Sequence, residues 1–261
     1  MSLWNAVVLA GDRGPTDPVA QMADVSCKAA TPFLDITLLE RVVTALESSR
    51  SVESIIVVGP NKEALRDSPR LASCLNNDRV TYLSPANGPS ASAIRGINEA
   101  RYRPTLLLTC DLPLLSGELI DAFCRSAQSQ DSDFVVTAVD YHCIEKFLPA
   151  IKKTRYQFKG KQVCFANLFA VLREPGLRVI EYWQDIENSR KKPIEIIRKI
   201  DWIGLLGYKL KLLTLERVAE KLSNKVDANI TIQASDVANY ALDVDSADDY
   251  RIFLDYFDRL N

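Results

Sequence analysis

The chain of 261 residues has little histidine, no paired cysteines and almost no net charge. His142 is its only histidine, which excludes a metal site or catalytic triad that needs a second imidazole; we expect His142 at the surface. The six cysteines form no C-x-x-C pair, so they indicate free thiols in a reducing compartment and not a zinc site or a disulfide framework. A formal net charge of −2 predicts no general affinity for nucleic acid.

Long hydrophobic runs are also missing. No stretch reaches the roughly 18–20 apolar residues that span a bilayer, and the N-terminus lacks the pattern of a signal peptide. Residues 202–215 are apolar, but Lys209 and Lys211 interrupt them, which is typical of a buried or amphipathic helix. We therefore expect a cytoplasmic protein without a transmembrane segment.

Short apolar runs alternate with helix-like stretches in the first half of the chain. The predicted strands are residues 6–9, 55–58, 80–83, 105–109 and 134–139, and the predicted helices are residues 38–48, 90–100 and 117–126. Alternation with short connections predicts an α/β fold with a mostly parallel sheet and helices on both faces. Ligands of such sheets bind beyond the carboxyl ends of the strands.

The second half is less regular. It predicts a hairpin edge at residues 156–160, strands at 163–172, 230–233 and 240–244, helices at 177–190 and within 193–222, and a closing helix at 247–260. We expect a single domain over residues 1–261, in which residues 175–225 form a helical insertion or lid. The basic residues 190–192 indicate a solvated helix face or, less simply, a clamp for an anionic acceptor.

The opening strand ends in a loop that suits a phosphate group. An apolar run stops at Ala10 and Gly11, where the backbone can approach a ligand closely, and Arg13 and Gly14 follow. An arginine beside exposed N–H groups is typical of phosphate binding. The alternative is an ordinary first turn of an α/β domain.

Asp111 follows directly after the predicted strand 105–109. That strand delivers it to the edge of the sheet, and Pro113 fixes the turn. A carboxylate at this position can coordinate magnesium. The alternative is a carboxylate that caps the next helix.

Asp243 and Asp245 form a D-x-D pair at the end of a predicted strand. Alternate residues of a strand share a face, so both can point into one site. The alternative is a solvated strand end before Ser246, which we expect to cap the closing helix. Lys28 follows an irregular stretch and could reach a phosphate, although a lone lysine is more often a solvated surface residue.

Taken in order, four segments resemble the molybdenum-cofactor guanylyltransferase-like NTP transferases. They are residues 7–11 with Arg13 following, Lys28 ahead of a proline-containing strand and helix, residues 107–115 around Asp111, and residues 242–249 with Asp243 and Asp245. Residues 88–94 also resemble the segment with which that family contacts the base and ribose. The resemblance is specific over residues 6–139 and again at the C-terminal strand and helix.

The resemblance implies a Rossmann-like three-layer sandwich of the nucleotide-diphospho-sugar transferase type, with Mg²⁺ as cofactor and an NTP, GTP or CTP, as donor. It implies that Arg13 and Lys28 act on the phosphates and that Asp111 holds magnesium together with Asp243 or Asp245. Asn167 would lie near the acceptor. The implied nucleotide-binding residues are Leu9, Ala10, Gly11, Asp12, Gly14, Gly88, Ser90 and Ser92.

The first loop departs from the family pattern. Asp12 stands where the family has a second glycine, Pro15 and Pro18 stiffen the loop, and Lys28 comes later than usual. Asp12 places negative charge beside the expected triphosphate. The departures indicate either a divergent branch with its own acceptor or weakened triphosphate binding.

The sequence therefore predicts a magnesium-dependent nucleotidyltransferase that moves an NMP group from an NTP to a phosphorylated small molecule and releases pyrophosphate. Two alternatives remain open at this point. One is a nucleotide-sugar-dependent glycosyltransferase, in which the D-x-D pair holds the metal on a diphosphate. The other is a non-catalytic nucleotide-binding protein, which the altered loop around Asp12 favours. A homodimer is compatible with the sequence but not required by it.

Overall fold

A mixed eight-stranded sheet forms the centre of the molecule. The computed structural model describes residues 3–11, 16–100, 104–188 and 213–259. The sheet strands are β1 (Trp4–Leu9), β4 (Val52–Val58), β5 (Val80–Leu83), β6 (Thr105–Thr109), β7 (Phe134–Asp140), β8 (Tyr156–Phe158), β9 (Lys161–Val171) and β10 (Ile230–Ser235). A small separate hairpin consists of β2 (Pro32–Phe33) and β3 (Ile36–Thr37).

Helices connect most of these strands. They are α1 (Pro18–Met22), α2 (Leu38–Ser48), α3 (Lys62–Asp67), α4 (Pro69–Leu75), α5 (Pro89–Glu99), α6 (Gly117–Gln128), α7 (Tyr141–Phe147), α8 (Leu177–Asn188), α9 (Leu215–Val226) and α10 (Ala247–Asp258). Short 3-10 helices occupy Lys28–Ala30, Glu174–Gly176 and Ala238–Ala241.

The strand order is β10-β7-β9-β6-β1-β4-β5, with β8 paired to β9. Strand β1 lies parallel to both β4 and β6, and β10 lies parallel to β7. Strand β9 runs antiparallel to both of its neighbours in the sheet order. The carboxyl ends of β1, β4, β6 and β7 therefore meet at one edge, as the mostly parallel sheet predicted from the sequence requires.

The hydrophobic core lies on both faces of the sheet. Because successive strand residues face opposite sides, Val7 joins a core with Leu107 and with Ile97 of α5, while Val8 joins another with Leu39 of α2. Helices α2, α6 and α10 cover one face, and α5, α8 and α9 cover the other. The predicted α/β three-layer sandwich is confirmed.

The predicted strand at residues 240–244 is wrong. The chain forms the 3-10 helix Ala238–Ala241 and then an irregular segment whose Val244 N–H donates to the Asp111 carbonyl oxygen at 2.9 Å. Leu242 and Val244 are fully buried, so hydrophobic alternation mimics a strand although no ladder forms there. Ser246 does cap α10, since its hydroxyl accepts from the Asp249 N–H.

Part of the expected helical insertion lies outside the described residues. Helices α8 and α9 are present at its two ends, and α8 packs against α5. The helices expected within residues 193–212, the basic residues 190–192 and most of the apolar segment 202–215 fall in the part that the structure does not describe. Among the described helices, none has the length and hydropathy to cross a membrane.

Candidate active site

Three carboxylates converge at the carboxyl edge of the sheet. Asp111 lies two residues beyond β6, and Asp243 and Asp245 lie in the irregular segment before α10. Ligand oxygens of the three side chains all lie within 4.8 Å of one another. We call Asp111, Asp243 and Asp245 the acidic triad. The hydroxyl of Thr109 donates to Asp111, and the bond from Val244 ties the two segments together.

Lys28 lies against the acidic triad. The 3-10 helix Lys28–Ala30 buries its two alanines and directs the ammonium group to an ion pair with Asp111 Oδ2, 3.6 Å from Asp245 Oδ1. Burial alone lowers the pKa of Lys28, but the neighbouring carboxylates outweigh it and hold the pKa above the usual lysine range. Lys28 therefore stays charged and occupies space between two of the three carboxylates.

Lys153 also contacts the acidic triad, a contact that no pattern in the sequence indicated. It lies between α7 and β8, and its ammonium group is 2.6 Å from Asp243 Oδ1 and 3.0 Å from Asp249 Oδ2. Burial lowers its pKa, but Asp243 and Asp249 raise it by more, so Lys153 is charged. No local pattern distinguishes it from its exposed neighbour Lys152.

The electrostatics of the cluster leave it negatively charged. Burial raises the pKa of Asp243 above the usual carboxylate range, although Lys153 acts in the opposite direction. Burial has the same effect on Asp245, but Lys153 and Lys28 outweigh it and lower the pKa of that carboxyl. The cluster contains four carboxylates, three from the acidic triad and one from Asp249, and two ammonium groups, those of Lys28 and Lys153. With every group ionised, its net charge is −2. That excess of negative charge equals the charge of one divalent cation.

Asn167 lies at an irregularity of strand β9. The pairing partner of Val136 is Phe169 and that of Ala138 is Phe165, so three residues of β9 lie opposite Thr137. Bulges of this kind redirect side chains and are common beside active sites. Here Asn167 Nδ2 donates to Asp243 Oδ2 at 2.8 Å. The structure thus places Asn167 against the acidic triad, and its contact with an acceptor stays a prediction.

The first loop begins beside the acidic triad. Leu9 ends β1 and its carbonyl oxygen accepts from the Cys110 N–H at 3.0 Å, next to Asp111. Ala10 N–H donates to the Val58 carbonyl oxygen at 2.9 Å. The structure therefore brings Leu9, Ala10 and Gly11 to the same edge as the carboxylates. The predicted site residues Asp12, Arg13 and Gly14 lie outside the described residues.

Gly59 supports this loop from the end of β4. Its φ is +92°, and a Cβ there would lie 2.7 Å from Gly11 N and 2.8 Å from the Ala10 carbonyl carbon. A side chain at position 59 would therefore overlap with the backbone of Ala10 and Gly11 and displace it.

The variant Gly59→Ala is expected to lose about 2–4 kcal/mol of unfolding free energy, from backbone strain and overlap together. Gly160→Ala is the matched control, because Gly160 also has a positive φ, +73°, but open space around it. We expect that control to lose only about 1 kcal/mol. Urea unfolding of both variants checks this, and equal losses would contradict a role for Gly59 in supporting the loop.

The segment that leads into α5 lies near Gly11, since a Cβ at Gly11 would lie 3.9 Å from Cβ of Pro85. Gly88 has a φ of +109° and precedes the helix, the buried Ser92 hydroxyl accepts from Ala86 N–H at 3.0 Å, and Ser90 is also buried. The Ser90 N–H donates to Glu187 Oε2 of α8 at 3.3 Å, a contact that the sequence did not indicate. The predicted residues Gly88, Ser90 and Ser92 thus belong to one helix start.

Histidine and cysteine play no part in this arrangement of carboxylates. His142 is exposed on α7 and its N–H donates to the Asp140 side chain, which confirms it as a surface residue. All six cysteines are free thiols. Burial raises the pKa of Cys164, beside the acidic triad, to about 12, so this thiol is protonated at neutral pH.

Comparison with known families decides the class of the protein. The sequence profile of the MobA-like NTP transferase domain matches residues 6–184. The chain belongs to the MobA-like NTP transferase domain family. It is thus a nucleotidyltransferase by family, and the match covers β1, β6 and the residues between them that carry Lys28.

Known relatives agree with this family. A phosphoenolpyruvate guanylyltransferase of Sphaerobacter thermophilus is 32% identical over 92 residues, which cover 34% of this chain and 42% of that relative. The matched part thus spans less than half of the length of that curated relative.

Solved structures share the fold of this MobA-like chain. A hypothetical transferase of Thermus thermophilus superposes with a TM-score of 0.78 at 20% identity, covering 95% of this chain and 99% of the other. A 4-diphosphocytidyl-2C-methyl-D-erythritol synthase of Anaerococcus prevotii gives 0.60 at 12% identity over 99% and 97%. A nucleotidyl transferase of Methanothermobacter gives 0.59 at 18% identity over the whole of both chains.

Proposed function

We propose that this protein is a Mg²⁺-dependent nucleotidyltransferase that transfers an NMP group from an NTP to a phosphorylated small-molecule acceptor and releases pyrophosphate. The observation that carries the proposal is the acidic triad beyond the end of β6, with Lys28 against it and the first loop beside it. Family membership supplies the class of reaction, and these residues supply the parts that such a reaction needs.

The acidic triad fits Mg²⁺. Magnesium prefers oxygen ligands and is commonly held by one or two carboxylates together with water and substrate phosphates. Asp111, Asp243 and Asp245 offer three such ligands within 4.8 Å, and with every group ionised the cluster has two negative charges in excess. When bound there, the ion supplies Lewis-acid stabilisation of charge on the phosphate oxygens.

The protein's own contribution is to position and neutralise the phosphates. In the reaction, an oxygen of the acceptor phosphate forms a bond to the α-phosphorus, and the bond between the α-phosphorus and the bridging oxygen to the β-phosphorus breaks. Lys28 would exchange its contact with Asp111 for an oxygen of the leaving pyrophosphate. Arg13, as the sequence predicts, would act on the same phosphates. An acceptor that is already an ionised phosphate needs no general base.

The remaining site residues would hold the nucleoside and the acceptor. The backbone of Ala10 and Gly11 would lie along the triphosphate, and the helix start at Gly88, Ser90 and Ser92 would contact the base and ribose. GTP or CTP is the expected donor, since a sequence relative is named as a guanylyltransferase and a structural neighbour as a 4-diphosphocytidyl-2C-methyl-D-erythritol synthase. Asn167 would lie near the acceptor.

The proposal is tested by incubating the purified protein with each α-³²P-labelled NTP and a panel of phosphorylated acceptors that includes phosphoenolpyruvate. We expect label to pass to an acceptor with one pyrophosphate released for each transfer, and EDTA to stop it. Release of a sugar from a nucleotide-sugar, without pyrophosphate, would show a glycosyltransferase instead. Nucleotide binding without either product would show a non-catalytic protein.

A further inference from the structure

We propose that Lys153 is a positioning residue that holds Asp243 and the start of α10 in place, so that the acidic triad is assembled before a cation binds. The inference rests on the proposed function of the acidic triad. It concerns a residue that touches neither nucleotide nor acceptor in this account and that acts through the carboxylates it holds.

The hydrogen bonds of Lys153 leave it no donor for a substrate. An ammonium group has three N–H donors. Those of Lys153 face the Asp243 carbonyl oxygen at 2.5 Å, Asp243 Oδ1 at 2.6 Å and Asp249 Oδ2 at 3.0 Å. Its side chain is only 5% exposed. Lys153 is therefore a fixed internal cation.

Asp249 extends the effect of Lys153 to Asp245. The same Asp249 Oδ2 that accepts from Lys153 also accepts from the Asp245 N–H at 3.0 Å. Lys153 thus fixes Asp243 directly and the backbone of Asp245 through one intermediate residue. The lysine is itself anchored, because the Tyr141 hydroxyl donates to the Lys153 carbonyl oxygen at 3.0 Å and Ile151 is buried.

Electrostatics give the second reason for a positioning role. Asp243, Asp245 and Asp249 lie within one small region, and like charges at such distances repel. Lys153 lies within 3.7 Å of all three carboxylates. Without it, the three carboxylates would repel one another and the segment before α10 would have to move, which displaces Asp243 and Asp245 from the acidic triad.

The two lysines of the site differ in these respects. Lys28 reaches the acidic triad through carboxylates alone, its side chain is 13% exposed, and no backbone carbonyl oxygen holds its ammonium group among the contacts described. Lys28 can therefore exchange its partners, whereas Lys153 cannot. A cation that enters the acidic triad therefore competes with Lys28 for the carboxylate oxygens. Its binding depends on Lys153, because Lys153 holds Asp243 in place.

The test compares Lys153→Met with Lys152→Met, the exposed neighbour, by Mn²⁺ binding to the purified protein measured by electron paramagnetic resonance. Loss of a residue that orients metal ligands typically weakens metal binding about 10–100-fold. We expect at least about a ten-fold rise in the Mn²⁺ dissociation constant for Lys153→Met and none for Lys152→Met. Simple loss of a positive charge from an acidic site predicts tighter Mn²⁺ binding, so the direction of the change separates the two roles.

Unchanged or tighter Mn²⁺ binding by Lys153→Met would overturn the inference while leaving the proposed function intact. A wild-type protein that binds no Mn²⁺ would overturn both. If Lys153→Met does not fold, Lys153→Arg keeps the charge but changes the arrangement of donors. Weaker Mn²⁺ binding by that variant supports the positioning role, and wild-type binding overturns it. In the transfer assay, Lys153→Met should raise the Mg²⁺ concentration for half-maximal rate and leave the KM for NTP at saturating Mg²⁺ unchanged.

Discussion

The Asp111→Asn variant is expected to lose about 10³-fold in turnover, which corresponds to about 4 kcal/mol of transition-state stabilisation. The amide has the shape of the carboxylate, and its single oxygen can still accept from Thr109. Its NH2 group cannot accept from Lys28 as Asp111 Oδ2 does, but Lys28 keeps Asp245 as a partner, so the fold should be retained. What the variant loses is the charge of the proposed metal ligand beyond the end of β6. Initial rates of pyrophosphate release, measured beside the thermal midpoint of the same preparation, check the prediction.

Asp248→Asn is the matched control for this variant. Asp248 lies just beyond Asp245 in sequence, but its side chain is 83% exposed and pairs with Arg251 at the surface. Its carboxylate is in the first turn of α10, where its loss costs at most about 1 kcal/mol of stability. The control should keep wild-type turnover. If Asp111→Asn kept more than about a tenth of the wild-type rate, Asp111 could not be a metal ligand of this kind.

The Lys28→Met variant is expected to change two measurements in opposite directions. Turnover should fall about 10²–10³-fold, because the leaving pyrophosphate loses its compensating charge in the transition state. Mn²⁺ binding should become tighter, because Lys28 no longer occupies the space between Asp111 and Asp245. Met keeps the length and apolar volume of the lysine side chain, so the packing of the 3-10 helix should be preserved.

Lys62→Met, on the exposed side of α3, serves as the control for Lys28→Met and should change neither measurement. Comparing the Mn²⁺ binding of Lys28→Met with that of Lys153→Met is a stricter test than this control. Both variants remove one positive charge from the same cluster, yet Mn²⁺ binding should tighten in one and weaken in the other. If Lys28→Met bound Mn²⁺ more weakly than wild type, Lys28 would be a support for the carboxylates and not an exchangeable cation.

Much of the fold could be predicted because its signals are local. Strands Thr105–Thr109 and Val80–Leu83 and helix Leu38–Ser48 have the predicted bounds, since short apolar runs mark the strands and apolar residues at helical spacing mark the helix. A strand end also fixes the direction in which the chain leaves the sheet. For that reason the sequence could bring Asp111 and Gly11 to the same edge.

For the D-x-D pair, the predicted secondary structure is wrong but the predicted grouping of the two carboxylates is correct. Residues 240–244 form no strand, but Leu242 and Val244 are both buried and Asp243 and Asp245 both reach Asp111. Hydrophobic alternation alone is enough to group the two carboxylates. A strand forms there only if a neighbouring strand has an unpaired edge, and a local sequence pattern does not show whether such an edge exists.

Contacts between distant segments could not be predicted in this way. Lys153 and Asp243 are 90 residues apart, and Ser90 and Glu187 are 97 residues apart. The bulge that turns Asn167 toward Asp243 depends on how β7 and β9 pair. None of these has a periodicity or motif of its own, because each arises only when separate elements pack together. The roles of Asp12, Arg13 and Gly14 stay predictions.

Thermal unfolding of the wild-type protein with GTP, CTP, ATP and UTP, each with Mg²⁺ or with EDTA, tests the central claim most directly. A ligand that binds only the folded state raises the midpoint, by an amount set by its concentration relative to its dissociation constant. The account predicts that at least one NTP raises the midpoint in Mg²⁺ and fails to do so in EDTA, and that Asp111→Asn loses the shift. A shift of equal size in EDTA, or no shift with any NTP, would contradict it.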